Sequence, residues 1–234
     1  MMVVRHVEYF GDRIGGAYQR ALDDDQDSAA TLPAVDREID NVRLAQERAL
    51  APDFPAARLA VEITDNLAAV WALREDDGRQ RREWLQRAAD LAQQTGQRTQ
   101  QASCIRRLGD VHVSLSESAQ ARQRYEEALP IYRAIGDRLG EANCYLALGR
   151  VTDSAEFFER AIQIHAAIQA HFSEARDLYY YGLWQRGRGD LPAALDSLTQ
   201  ALGIFEQVGV ISAQEAVRRA IVDTQAAMSA PGDK

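Results

Sequence analysis

Residues 104–132 read CIRRLGDVHVSLSESAQARQRYEEALPIY. Two apolar stripes lie in this stretch, separated by a polar break. The first is Ile105, Leu108, Gly109 and His112; the second is Ala121, Tyr125, Ala128, Leu129 and Tyr132. Offsets of three, four and seven put each set on one face of a helix. Small residues stand where two helices approach most closely, and large ones fill beside them. The stretch therefore predicts two helices joined by a turn and sharing one apolar seam.

The pattern returns along the chain. Forty residues before Tyr125, Ala128 and Ile131 stand Leu85, Ala88 and Leu91. Leu178, Tyr181 and Gly182 replay Ile105, Leu108 and Gly109, and Ala194, Leu198 and Ala201 replay Ala121, Tyr125 and Ala128. Between them, Tyr145, Leu148 and Gly149 open a pair that Phe158 and Ala161 close. These units resemble the tetratricopeptide (TPR) helix pair, with a step of 40 residues in place of the usual run of about 34. One pair cannot bury its own apolar face, so neighbours must stack. The expected fold class is all-α: a right-handed superhelical TPR-like solenoid of antiparallel helix pairs, about 11 helices in all. Residues 1–54 are expected to form an N-terminal helical pair packing on the solenoid. Residues 55–229 would form the solenoid with a C-terminal capping helix, and 230–234 a disordered tail.

Composition narrows the function. Of 234 residues, 46% are hydrophobic and 26% charged, ordinary values for a soluble globular chain. The net charge of -8 argues against a general nucleic-acid or anionic-membrane binder, which would carry a basic footprint. Lys234 is the only lysine, so the positive charge is arginine. Cys104 and Cys144 occupy equivalent positions of successive repeats, roughly 10 Å apart by interhelical spacing. That is beyond the reach of a disulfide. Free thiols suit a reducing compartment, and the start MMVVRHVEYF lacks an apolar signal core, so a cytoplasmic protein is expected.

Local signals refine the element order. Val3 to Leu22 reads as a helix, and a second starts at Thr31 or Leu32 with a stripe of Val35, Ile39, Val42, Leu44 and Ala45. A third spans Ala56 to Arg74, in poor register. Gly96 and Gly136 are read as helix C-caps. One pair is anomalous: Gly109 precedes Ala121 by twelve residues, but Gly149 precedes its counterpart Ser154 by five. The missing seven amount to two helical turns. Asp153 and Glu156 form a candidate capping box, which predicts a break there and a short helix that would notch the inner wall. Ser212 and Glu215 form another at the start of the last helix.

No catalytic set emerges. His6, His112, His165 and His171 lack metal-ligand spacing to one another or to the cysteines, and FGDRIGG lacks the ending of a phosphate loop. His112 is read as a packing residue. No enzyme activity, metal or cofactor is expected. The candidate site is instead the face of each first helix turned away from its seam. It comprises Ser103, Arg106 and Asp110; Asn143, Leu146 and Arg150; Arg176, Tyr179, Leu183 and Arg186; and upstream Asn66 and Val70. Arginine forks suit carboxylates and phosphates, and tyrosine adds contact area at low entropic cost. The expected ligand is a protein or peptide partner with an acidic segment, or a small anion. The competing reading has these arginines solvated or paired with Asp110 and Asp177.

Beyond the repeat, His6, Tyr9 and Phe10 in RHVEYF, the run Glu38-Ile39-Asp40-Asn41-Val42-Arg43-Leu44-Ala45, and Trp71, Arg74, Trp84, Leu85 and Ala88 resemble the sensor arm of bacterial STAND-type (NB-ARC/LuxR-like) regulators. The resemblance implies an arm that binds an inducer or partner and controls a nucleotide-binding switch module in the same or an associated chain. The rivals are a free-standing adaptor joining two proteins, a solenoid enzyme and a nucleic-acid binder.

Overall fold

The computed structural model describes residues 44, 46–51 and 78–229. The expected helices over 3–22 and 56–74, with Asn66 and Val70, lie outside the described residues, as does the tail. Eight helices follow one another: α1 Arg79–Gln94, α2 Arg98–Ser114, α3 Ser118–Ile135, α4 Arg138–Thr152, α5 Ala155–Ala167, α6 His171–Gly187, α7 Leu191–Val208 and α8 Ile211–Ser229. A further helical segment runs through 46–49. Nine helices are thus counted among the described residues, not eleven. The fold is an all-α repeat of sequential helix pairs. It divides into two compact units, with the boundary between Ile131 and Tyr132 inside α3.

The turns carry the repeat as plainly as the seams. Left-handed residues recur every 20 positions at Gly96, Ser116 and Gly136, and again at Gln169, Gly189 and Gly209. Each of the first five closes its helix in the same way. The next N–H reaches back to the carbonyl five residues earlier, as from Gln97 to Ala92, Glu117 to His112 and Asp137 to Tyr132. This is the Schellman closure, which satisfies the end carbonyls of a helix. Gly96 and Gly136 thus close their helices as expected.

In the first unit, Leu85 of α1 packs on Leu108 and Val111 of α2. Gly109 faces the buried Tyr125 of α3 so closely that a Cβ would stand 2.7 Å from Tyr125 Cδ1. The ring is enclosed and cannot yield. Gly109→Leu is therefore expected to cost about 1–3 kcal/mol by overpacking, read as a lower urea midpoint with m unchanged. Upstream, Leu44 is exposed, while Gln46, Ala49 and Leu50 are buried, so Leu44 does not belong to the core stripe expected of it. That segment is held by Arg87, which donates twice to the Glu47 carboxylate at 2.9 Å. The same fork holds the Glu47 carboxyl below its ordinary pKa.

The second unit repeats the glycine-to-knob contact. Gly149 of α4 faces Phe158 of α5, and Gly182 of α6 faces Leu198 of α7. From α6 onward Ala175, Leu178, Leu198, Ala201, Phe205, Val217 and Ala220 form one core. The anomalous pair does break: α4 ends at Thr152 and α5 starts at Ala155. The capping box does not form, however. Ser154 is the N-cap, and Asp153 instead closes α4 in the left-handed conformation. Its carboxylate accepts from Trp184 Nε1 at 2.6 Å and Arg188 Nη1 at 2.7 Å. Beside this end Phe158, Tyr181 and Trp184 cluster, with Tyr181 stacked on both of the others. Burial, then the hydrogen bond to Glu159, raises the Tyr181 hydroxyl above the usual phenol range. At the last helix Ser212 lies within the first turn, since α8 begins at Ile211.

Candidate functional site

The faces turned away from the seams are built by α2 in the first unit and by α4 and α6 in the second. On α2, Arg106 Nη1 donates to Asp110 Oδ2 at 2.9 Å, one turn on. The Tyr125 hydroxyl donates to the other oxygen of Asp110, and Ser103 Oγ accepts from Arg107 Nε. Ser103, Arg106 and Asp110 are thus engaged within their own unit.

In the second unit α4 and α6 bring two of the seven expected residues, Asn143 and Arg176, into direct contact. Arg176 Nη2 donates to Asn143 Oδ1 at 2.8 Å and reaches Asp177 Oδ1 at 3.3 Å. Arg150, seven residues after Asn143 and so on the same face, holds its guanidinium 4.5 Å from the centroid of the Tyr180 ring. Tyr180 in turn lies 5.4 Å from Tyr179, tilted by 56°. Tyr179 is half-buried against the core of α6–α8, as is Leu183. Arg186 stands apart and pairs with Asp223 of α8 at 3.7 Å. Leu146 is buried and does not line this face.

These contacts sort the arginines. Arg106, Arg176 and Arg186 each face a carboxylate. Arg150 has no carboxylate partner among the described residues; its contact is the face of Tyr180. A cation over a half-buried phenol ring gains about 1 kcal/mol, enough to orient the side chain while leaving its N–H fork open. Tyr180 was not among the expected residues. It occupies the register position of Arg107 and Ala147, at the side of the helix where one repeat meets the one before. Only the pairing of α4 with α6 reveals it.

Behind this wall lies a buried polar pair. His165 Nδ1 of α5 and Asp177 Oδ2 of α6 are 2.6 Å apart, both wholly buried. The carboxylate dictates the tautomer: Nδ1 carries the proton and donates, which leaves Nε2 without a hydrogen-bond partner. Asp177 thus links the interior to Arg176 at the surface. His112 is likewise a packing residue, buried with Nδ1 2.6 Å from Glu117. Cys104 and Cys144 are buried and unbridged. Among the described residues no group of three or more His, Cys, Asp or Glu is placed to hold a metal ion. No described helix is long and apolar enough to cross a membrane.

Comparison with known proteins follows the same lines. A family model for the tetratricopeptide repeat matches residues 61–134 and 139–207, more than half of the chain. No curated protein matches in sequence. Among solved structures, BtubC (BKLC) from P. vanneervenii is 14% identical, with 100% of this chain and 95% of that one covered and a TM-score of 0.52. The apo form of RapI is 13% identical, with 94% and 83% covered and a TM-score of 0.57. A Podosopora anserina protein described as a kinesin light chain with nearly identical TPR-like repeats is 14% identical, with 88% and 98% covered and a TM-score of 0.55. At these identities the likeness is one of fold.

Proposed function

Because the chain belongs to the tetratricopeptide-repeat family, we propose that it is a non-enzymatic binding scaffold that takes an acidic peptide segment of a protein partner on the α4–α6 face. The observation that carries this reading is Arg150, held over Tyr180 without a carboxylate partner among the described residues. An acidic side chain would take both N–H groups of its fork. Asn143, Arg176, Tyr179, Tyr180 and Arg186 would flank the segment. Within the first unit, Ser103, Arg106 and Asp110 hold the corresponding register positions of α2 and would form a face of their own.

A fluorescent Asp/Glu-rich peptide provides the test. Arg150→Ala is expected to weaken its binding about tenfold, the worth of one lost charge-assisted hydrogen bond. A Lys/Arg-rich peptide of equal length should not bind. Unchanged affinity in the variant would remove Arg150 from the site.

The finer reading is a sensor arm that regulates a signalling NTPase, attached or associated. The residues that support it by resemblance include Trp84, Leu85 and Ala88, all buried on α1. Residues 1–54 as an N-terminal helical pair packing on the solenoid, and 55–229 as the repeat array capped by α8, belong to the same proposal. A free-standing adaptor is the alternative. Binding of the isolated nucleotide-binding module by the purified chain, with its nucleotide exchange altered, would favour the sensor arm over the adaptor.

A further inference from the structure

We infer a second, separate ligand site where α3, α4 and α5 meet, built to hold a tetrahedral oxyanion of the phosphate type. Its centre is the Tyr145 hydroxyl. Tyr145 is only 3% exposed. Two arginines converge on its oxygen: Arg133 Nη2 from the end of α3, in a short contact, and Arg160 Nη1 from α5 at 3.3 Å. Both guanidinium carbons also lie over the same ring, at 5.4 and 5.6 Å from its centroid. Two like charges are thus gathered on one neutral oxygen, although both side chains are about half exposed and free to separate into water.

The local charge is not balanced. Arg133 and Arg138 share the single carboxylate of Glu141, and Arg160 has Glu156. Three cations face two anions, in a chain of net charge -8. The hydrogen bonding is also incomplete. The phenol oxygen accepts from both arginines, and its own O–H has no acceptor among the described residues. An anion seated between the guanidiniums would balance the charge and accept that proton.

The geometry selects the ligand class. A carboxylate is matched by one planar fork. Here three donors arrive from three different helices, and a phosphoryl group offers a separate oxygen to each. The arrangement is peculiar to this pair. At the position of Tyr145 the neighbouring pairs carry Ile105 and Leu178, and at that of Arg160 they carry Glu127 and Gln200. The site stands independently of the Arg150 reading, since it shares no residue with it.

The test is titration calorimetry of the whole chain with inorganic phosphate, and with a phosphoserine peptide beside its unphosphorylated form. Wild type is expected to bind phosphate or the phosphopeptide, and Arg160→Gln to bind it about ten- to hundredfold more weakly, the loss of one charge-assisted bond. Tyr145→Phe, which keeps the ring, should weaken it several-fold. Arg218→Ala, an exposed arginine elsewhere, should leave it unchanged. Far-ultraviolet spectra and melting confirm that each variant folds. Binding of phosphate alone assigns a free anion; binding only of the phosphopeptide assigns a modified partner. Absence of binding to either, or equal binding by Arg160→Gln and wild type, overturns the site.

Discussion

Asp177→Ala is expected to destabilise the second unit by about 3 kcal/mol, the upper end of what leaving a buried hydrogen-bonding group without its partner costs. Asp177 is wholly buried and accepts from His165 Nδ1 at 2.6 Å and from Arg176 at 3.3 Å. Truncation leaves the imidazole N–H facing no acceptor in a closed interior, where an unmade hydrogen bond costs about 1–3 kcal/mol by itself. His165 already has an unpartnered Nε2, so the ring would lose its only hydrogen bond. Arg176 would suffer less, because it is partly exposed and keeps Asn143. Urea unfolding followed by circular dichroism measures the loss. A midpoint equal to wild type would show that the pair contributes nothing.

Phe158→Ala is expected to cost about 3–5 kcal/mol, the usual range for emptying an aromatic core position. Phe158 is 1% exposed, covers Gly149, stacks on Tyr181 at 5.5 Å and meets Trp184 at 5.9 Å in a tilted contact. Its helix, α5, is the shortest of α1–α8 at 13 residues and buries only Phe158, Ala161, Ile164 and His165. With so few anchors, the loss of the largest one should release α5 before the helices that follow. Trp184 fluorescence is the local probe: its transition should separate from the ellipticity transition in the variant. A small, single transition would place the anchoring of α5 elsewhere.

The seams were legible because they were written several times. Ile105, Leu108, Tyr125 and Ala128 are buried, and so are Leu178, Leu198 and Ala201 at matching positions. A position supported by three copies is hard to misassign. Leu44 and Leu146 were misread for a different reason. Periodicity says that a helix has an apolar side but not which neighbour covers the rest, and these two were assigned from a single stripe each. The charged residues follow the same logic. The pairing of Arg106 with Asp110 lies one turn away on the same helix, so spacing could offer it as a rival reading. Arg186 with Asp223, Arg150 with Tyr180, and Trp184 with Asp153 join different helices, and nothing local announces them. Asp153 shows the limit most clearly. Its sequence context suits a cap, yet the Trp184 indole of α6 and the Arg188 guanidinium just past its end claim the carboxylate.

The shortened pair has one more implication. Sixteen residues separate glycine from knob at Gly109–Tyr125 and Gly182–Leu198, and nine at Gly149–Phe158. No single helix loses all seven: counted from these contacts, α4 ends two residues sooner than α2, α5 starts four residues later than α3, and the turn is one residue shorter. The loss thus falls at the turn end of the pair, where trimming shortens both helices without rotating the face that either one presents. A ladder of this kind can vary the depth of a single rung without rewriting the rungs on either side.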